Sequence, residues 1–276
     1  MNIIIPMAGL GNRFVQSGYS TPKPLIRLGD KTILEYIINM YSKDDDFVFI
    51  CNNTYNSNDF IYKICPNATI VNIESHKLGP VYTTSHAFEH IKDEEETVIN
   101  YCDTALVWDY DHFKNNMIEN DLDGCLLTHT GFHPHTLAST KMAFLKESKG
   151  IVEEVKEKSS YTDNPMNEHA SSGVYYFKKG SYIKKYFLMA MDKNINYNGE
   201  FYVTLVYNLL IKDNLKIGFY DTEFTNIFGT PNEIENFLAW MKILEGGQVK
   251  NQEDLIKCYR YWIKHNEKVT NNNSVQ

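Results

Sequence analysis

The sequence predicts an α/β fold, a Rossmann-like, doubly wound and mostly parallel sheet with antiparallel additions and C-terminal helices. Short β-branched runs alternate with helical stretches up to about residue 135, and the first run ends in a glycine-rich turn. Beyond that point the strands shorten and turns crowd together. In order, residues 3–5 form a buried first strand, 33–41 a helix and 46–51 a second buried strand. Residues 68–73 make a third strand, 81–91 a helix and 97–101 a fourth strand. A helix near 113–119 precedes a fifth strand at 124–128. Residues 142–146, 151–156 and 173–177 are predicted as antiparallel additions to one side of the sheet. A helix follows at 201–211 and a late strand at 216–220. Amphipathic helices are expected at 233–244 and 253–265, with Trp240 and Trp262 on their apolar faces, before a polar tail at 266–276. No repeat or linker interrupts the chain, so the expected organisation is one domain over 1–232 with a helical extension over 233–276.

Composition bounds the function. At 276 residues, 43% hydrophobic and 22% charged, the chain can bury an ordinary core. A net charge of −8 speaks against general nucleic-acid binding, which needs a basic surface. A polyphosphate would therefore need a local cluster of Lys, Arg and backbone N–H. Five cysteines, an odd number without C-x-x-C spacing, read as free thiols in a reducing cytoplasm. The start carries no basic n-region and no apolar run approaches ~18 residues, so neither a signal peptide nor a membrane span is expected.

The strongest local signal is Pro6-Met7-Ala8-Gly9-Leu10-Gly11-Asn12-Arg13-Phe14, directly after the first strand. Small residues there let backbone N–H groups approach phosphate oxygens, and the following helix start adds partial positive charge. Next comes Pro22-Lys23-Pro24-Leu25, in which two prolines would hold Lys23 extended and aim its ammonium back at the turn. A dinucleotide fingerprint would need Gly at Phe14 and an acidic residue where Cys51-Asn52-Asn53 ends the second strand. A phosphate loop of the Gly-Lys-Ser/Thr kind is excluded by Gly11-Asn12-Arg13. A turn without any ligand remains the bland alternative.

Residues 4–26 resemble the signature of the sugar-1-phosphate nucleotidylyltransferases (NDP-sugar pyrophosphorylases), a Gly-x-Gly-x-Arg turn followed by a Pro-Lys-Pro-type motif. Later segments fit in the same order, so the resemblance covers roughly residues 1–232. It implies that Ala8, Gly9, Leu10, Gly11, Asn12 and Arg13 wrap a triphosphate, Arg13 gripping the pyrophosphate and Lys23 lying near the α-phosphate and acceptor phosphate. Glu74, Gly79 and Pro80, between a strand and a helix, would face the base. Asp103, at the end of Asn100-Tyr101-Cys102-Asp103, would ligate Mg²⁺, a hard cation suited to charge building on a phosphate. Glu157, Lys158, Gly173 and Glu200 would line the acceptor pocket. The resemblance also implies a second metal Asp where Ile227 stands; Asn226, Asp221 or Glu223 would have to replace it, or Asp103 would serve alone.

His133 and His135 follow the fifth strand, where acceptor contacts are expected; no third ligand has suitable spacing for zinc. The implied reaction is in-line attack of an acceptor phosphate on the α-phosphorus of CTP, UTP or dTTP, with small molecules as the partners. The acceptor would be a sugar phosphate or a similar monophosphate, and the product would feed surface polysaccharide synthesis. Two other classes are weighed: a glycosyltransferase using Asp109-Tyr110-Asp111 as a metal motif, and a non-catalytic nucleotide sensor. The C-terminal helices suit packing on the core or on a second copy.

Overall fold

The computed structural model describes residues 1–137 and 141–244. The helix expected over 253–265, Trp262, the polar tail and the side chain of Trp240 lie outside the described residues.

The opening isoleucine run forms β1 (Asn2–Met7), buried along its length, and the glycine turn leads into the short α1 (Asn12–Gln16). A ribbon of β2 (Arg27–Leu28) and β3 (Lys31–Thr32) feeds α2 (Ile33–Ile38). There follow β4 (Asp46–Asn52), α3 (Asn58–Ile64), β5 (Thr69–Ile73), α4 (Pro80–Ser85), β6 (Thr97–Asn100) and β7 (Thr104–Val107). Next come α5 (Tyr110–Glu119), β8 (Gly124–His129), β9 (Phe144–Ser148), β10 (Ile151–Lys156) and β11 (Ala170–Phe177). The described part ends with α6 (Gly180–Asp192), α7 (Val203–Lys212), β12 (Ile217–Asp221), β13 (Phe224–Ile227) and α8 (Pro231–Leu244).

Among the described residues, nine strands form one sheet in the order β5-β4-β1-β6-β11-β8-β12-β10-β9. The β5-β4-β1-β6 half is parallel, as is the β8–β12 pair, while β11 runs antiparallel between β6 and β8. Alternate residues of each strand feed the two faces: Ile3, Ile5, Phe47 and Phe49 pack with α2 and α5, whereas Ile4, Val48 and Ile50 pack with α4, α6 and α7. The result is a three-layer α/β/α fold. Ile234 and Phe237 join α8 to the first of these cores, Phe237 meeting Phe228 edge-on at 5.1 Å. None of the described helices is long and apolar enough to cross a membrane.

Three expectations are corrected. The strand expected at 173–177 is β11, which sits in the middle of the sheet and not on one side. Every one of its eight residues is buried, the pattern of a strand covered on both faces. The helix expected over 81–91 stops at Ser85: beyond it the backbone bonds tighten, His86 N–H to Thr83 O and Ala87 N–H to Thr84 O, and a 3₁₀ turn follows at Phe88–His90. Lys23 is not extended; it opens a 3₁₀ turn (Lys23–Leu25) in which Leu25 N–H donates to Pro22 O.

The loops after β1, β4, β5 and β6 all emerge at the carboxyl edge of the parallel strands, where a crevice forms outside the sheet. Behind it, α2 is fixed by a capping box: Thr32 Oγ1 accepts from Glu35 N–H, and the Glu35 carboxylate accepts from Thr32 N–H at 2.7 Å. Thr32→Ala should cost about 1 kcal/mol in urea-denaturation stability, and an unchanged midpoint would show that the box contributes nothing.

Candidate active site

The glycine turn opens onto the crevice. A Cβ placed at Gly9 or Gly11 would meet nothing within 4 Å, and Gly11 lies in the left-handed region at φ +61. Gly9 forms a parallel bridge with His76, so the loop between β5 and α4 lies alongside.

Asn100, wholly buried at the end of β6, shapes the next element. Its amide donates to the carbonyls of Tyr101 and Thr104, at 2.7 and 3.0 Å, and its Oδ1 accepts from the Tyr41 hydroxyl at 2.7 Å. The turn so fixed presents Asp103, whose carbonyl accepts from Phe228 N–H at 2.7 Å. Lys23 Nζ donates to Asp103 Oδ2 at 2.8 Å, each side chain about one-fifth exposed (20% and 19%). Burial acts against both charges, but each partner more than offsets it. The Lys23 pKa is therefore raised and that of Asp103 lowered, so the pair is ionised. Arg13 NH1 reaches Gly229 O at 3.5 Å, on the same side of the crevice. Thus Arg13, Lys23 and Asp103 gather beside the glycine turn.

Glu74 is exposed on the neighbouring loop. Gly79, at φ +87, sits where a Cβ would collide with the backbone of Phe201 at 2.8 Å. Phe201 N–H donates to Leu78 O, and Val81 N–H to Phe201 O, so this loop is stitched to the segment carrying Glu200. Pro80 opens α4 at its first position. His76, which the sequence did not single out, accepts from Leu78 N–H at Nδ1 and meets the Thr83 hydroxyl at Nε2, both at 3.1 Å.

The residues expected at the acceptor end also converge. Glu157 is buried and accepts from the Thr204 hydroxyl at 2.5 Å; Lys158 Nζ lies 3.4 Å from its other oxygen. Burial raises the Glu157 pKa, and Lys158 opposes the shift. Lys158 holds φ +58, uncommon for a residue with a side chain, and its ammonium lies 5.5 Å above the Tyr202 ring. The Tyr202 hydroxyl donates to Glu200 at 3.1 Å. Gly173 leaves room for Thr104, whose Oγ1 would lie 2.8 Å from a Cβ there. Tyr202 and Thr204 were missed; the only signal was their place directly after Gly199-Glu200.

His133 and His135 do not line this crevice. Both are 2% exposed, packed against His129 at ring distances of 4.6 and 4.9 Å. The expectation of an acceptor contact is corrected: the loop folds inward because the backbone of β13 partners both rings. His133 Nδ1 accepts from Thr225 N–H, so its Nε2–H donates to Thr130 O. His135 Nδ1–H donates to Thr225 O, so its Nε2 accepts from His129 Nε2–H at 3.3 Å. His129 Nδ1 then accepts from the Ser172 hydroxyl. Both nitrogens of every ring are engaged, which leaves no lone pair for zinc. Burial pushes the pKa values of His133 and His135 down to about 4 and about 3 and holds His129 well below its usual value.

The place of the second implied carboxylate is filled by the half-buried Ile227. Of the substitutes, Asp221 is engaged by His169 at 2.9 Å and by the Thr128 hydroxyl at 2.7 Å. Glu223 is exposed, and Asn226 alternates to the opposite strand face from Ile227. Another acid, Glu233, comes close instead. Asp103 Oδ2 and Glu233 Oε2 each lie 3.3 Å from the point where a Cβ on Gly229 would stand. Burial, then the Asp103 charge, raises the Glu233 pKa. All these donors are hard oxygens, which suit Mg²⁺.

The fold and its crevice define the class: a Rossmann-like nucleotidyltransferase. Residues 3–161 match the MobA-like NTP transferase domain, and the chain belongs to that family. The bifunctional protein GlmU of Staphylococcus epidermidis is 26% identical over 244 residues, covering 84% of this chain and 50% of its own length. The chain thus spans about half the length of the curated relatives it matches. Among solved structures, the nucleoside-diphosphate-sugar pyrophosphorylase of Vibrio cholerae RC9 superimposes with a TM-score of 0.68 at 23% identity, over 86% of this chain and 99% of that one. The inositol-1-phosphate CTP transferase of T. maritima gives 0.62 at 14% identity, over 89% and 97%. At such identities these two matches show the shared fold.

The histidine cluster sets a pH dependence. Unfolded imidazoles take up protons below about pH 6.5, whereas His133 and His135 stay neutral until about 4 and about 3. Stability is therefore complete above the unfolded value and falls as pH drops through this window, by up to about 1.4 kcal/mol per pH unit for each ring. Thermal melts from pH 7.5 to 4.5 should show this loss, with a shallower slope in His135→Gln; identical slopes would refute the cluster as the source.

Proposed function

We propose that this chain transfers a nucleoside monophosphate from a nucleoside triphosphate to a sugar phosphate or similar phosphorylated acceptor, with release of pyrophosphate. The observation that carries this reading is the 2.8 Å pairing of Lys23 and Asp103 beside the glycine turn. A cation and a carboxylate 80 residues apart in sequence meet, partly desolvated, beside a glycine turn with open space around it. The nucleotide-sugar and CTP-dependent activities in the names of the structural neighbours point the same way.

In this reading the turn from Ala8 to Asn12 holds the triphosphate through backbone N–H groups, and Arg13 steadies the β- and γ-phosphates. Lys23 places its ammonium on the α-phosphate oxygens, where negative charge builds during in-line attack. Asp103 holds Mg²⁺, which supplies charge neutralisation on the phosphates when bound. The acceptor phosphate meets Lys158, and Glu157 and Glu200 accept hydrogen bonds from acceptor hydroxyls. A phosphate monoester is anionic near neutral pH, so no side chain need take a proton. Orientation and charge stabilisation do the chemistry.

The base is taken to be a pyrimidine in this reading, the loop from Glu74 to Pro80 being held against Phe201. The product would be an activated sugar or polyol for surface polysaccharide assembly, made in the cytoplasm. The glycosyltransferase alternative loses its motif: Asp109 caps α5, accepting from His112 N–H at 2.8 Å, and Asp111 pairs with Lys114 at 2.7 Å.

A matrix of CTP, UTP, dTTP, ATP and GTP against hexose 1-phosphates and polyol phosphates, read as released pyrophosphate, tests the reading. A pyrimidine nucleotide should give turnover with at least one acceptor; triphosphate binding without turnover across the matrix would favour a sensor. Lys23→Ala should lower turnover about a hundred- to a thousandfold with far-UV circular dichroism preserved. Near-normal turnover would show that its role is misassigned.

A further inference from the structure

We propose that Glu233 is the second carboxylate of the divalent-cation site on Asp103, supplying what Ile227 cannot. The inference rests on the reading that Asp103 carries the cation.

Glu233 has a local duty that accounts for part of its geometry. Its N–H donates to Thr230 Oγ1 at 3.3 Å, the first half of a capping box at the start of α8. That duty leaves Oε2 unexplained. The residue is 8% exposed; Thr230 and Gly229 groups favour its carboxylate, but the buried Oε2 itself has no hydrogen-bond partner among the described residues. Buried polar atoms are nearly always partnered, and a carboxylate oxygen is among the costliest to leave bare.

Oε2 faces a defined space. It and Asp103 Oδ2 are each 3.3 Å from the position a Gly229 Cβ would take, so they are no more than twice that apart. The Ile227 side chain borders the same space at 3.9 Å, and Gly229, lacking a Cβ, leaves it open. Two carboxylate oxygens facing one shared space repel each other unless a cation stands between them. Mg²⁺, bound at about 2.1 Å from hard oxygens and usually by one or two carboxylates, fits that demand. Lys23 satisfies Asp103 alone in this structure, and its ammonium competes with a metal for the same oxygen.

Removing that competitor allows a test with the metal alone. Mn²⁺ is titrated into Lys23→Ala protein and followed by the electron paramagnetic resonance signal of free Mn²⁺. The same titration is made with Glu233→Gln or Asp103→Asn added. One Mn²⁺ should bind per chain, and each added substitution should weaken it at least tenfold. Glu233→Gln keeps an oxygen for the capping box, so its melting temperature should move little. Adding Ile227→Asp to the Glu233→Gln variant should restore affinity. Mn²⁺ bound as tightly after Glu233→Gln overturns the proposal, and so does a Lys23→Ala parent that binds none. If Asp103→Asn alone has no effect, it is the placement of the cation on Asp103 that fails; nucleotidyl transfer itself is judged separately by pyrophosphate release. Should loss of Lys23 unfold the chain, unsubstituted protein and Glu233→Gln compared at higher Mn²⁺ decide the same question.

Discussion

The ion pair between Lys23 and Asp103 is the interaction around which the crevice is arranged. Both side chains are about four-fifths withdrawn from water, so each charge has lost much of its hydration and depends on the other. Removing one partner of such a buried pair typically costs about 3–5 kcal/mol, because the survivor is left bare. Exposed pairs such as Lys92–Asp46 and Lys178–Asp121 contribute little by comparison. The geometry of the central pair is set elsewhere. The Asn100 side chain shapes the turn under Asp103, Phe228 N–H ties that turn to the end of β13, and the 3₁₀ turn after Pro22 carries Lys23. Three segments distant in sequence thus share one electrostatic knot. In the proposed reaction this pair opens, Lys23 passing to the phosphate and Asp103 to the cation, so the knot keeps both charges at the crevice until substrate arrives.

Two glycines join the halves of the molecule around that knot. Gly79 allows the loop before α4 to lie against the backbone of Phe201, so the wall expected to face the base and the wall carrying Glu200 form one hydrogen-bonded unit. Gly173 lets β11 approach Thr104, directly after Asp103. Through these contacts the strand inserted in the middle of the sheet, the segment carrying Glu200 and the turn carrying Asp103 are mechanically continuous. A side chain at either glycine would separate parts that the proposed in-line geometry needs within a few tenths of an ångström.

Much of this was legible in the sequence. The isoleucine run, the glycine turn and the later β-branched runs fixed the parallel half of the sheet, because buried parallel strands need uninterrupted apolar residues. The gathering of Arg13, Lys23 and Asp103 was legible through the resemblance carried by the glycine turn, Pro22-Lys23-Pro24 and the Asp that ends a buried strand run. Other features were not. The central place of β11 depends on pairing partners far along the chain, and a run such as Ala170–Phe177 carries no mark of its neighbours. His133 and His135, two apart, look like ligands in a loop; their burial follows from acceptors and donors on β13 about 90 residues away. Glu233 was hidden in a different way. Thr230-Pro231-Asn232-Glu233 reads as an ordinary helix start, and only the fold shows what lies opposite its carboxylate.

On the proposed function, the inward turn of the histidine loop narrows what the acceptor pocket would recognise. With those rings engaged by the core, Glu157, Lys158, Glu200 and Tyr202 remain, from the exit of β10 and the approach to α7. That set holds one ammonium and two carboxylates, arranged so that Lys158 is steadied by Glu157 and by the face of the Tyr202 ring. A single cation beside two fixed acceptors complements a small molecule carrying one anionic group and several hydroxyls. An acceptor with two anionic groups would bring its second charge against Glu157 or Glu200, at a cost that burial of Glu157 magnifies. If these residues bind the acceptor as proposed, their charges would favour a polyol with one anionic group over a bisphosphate, without help from the histidine loop.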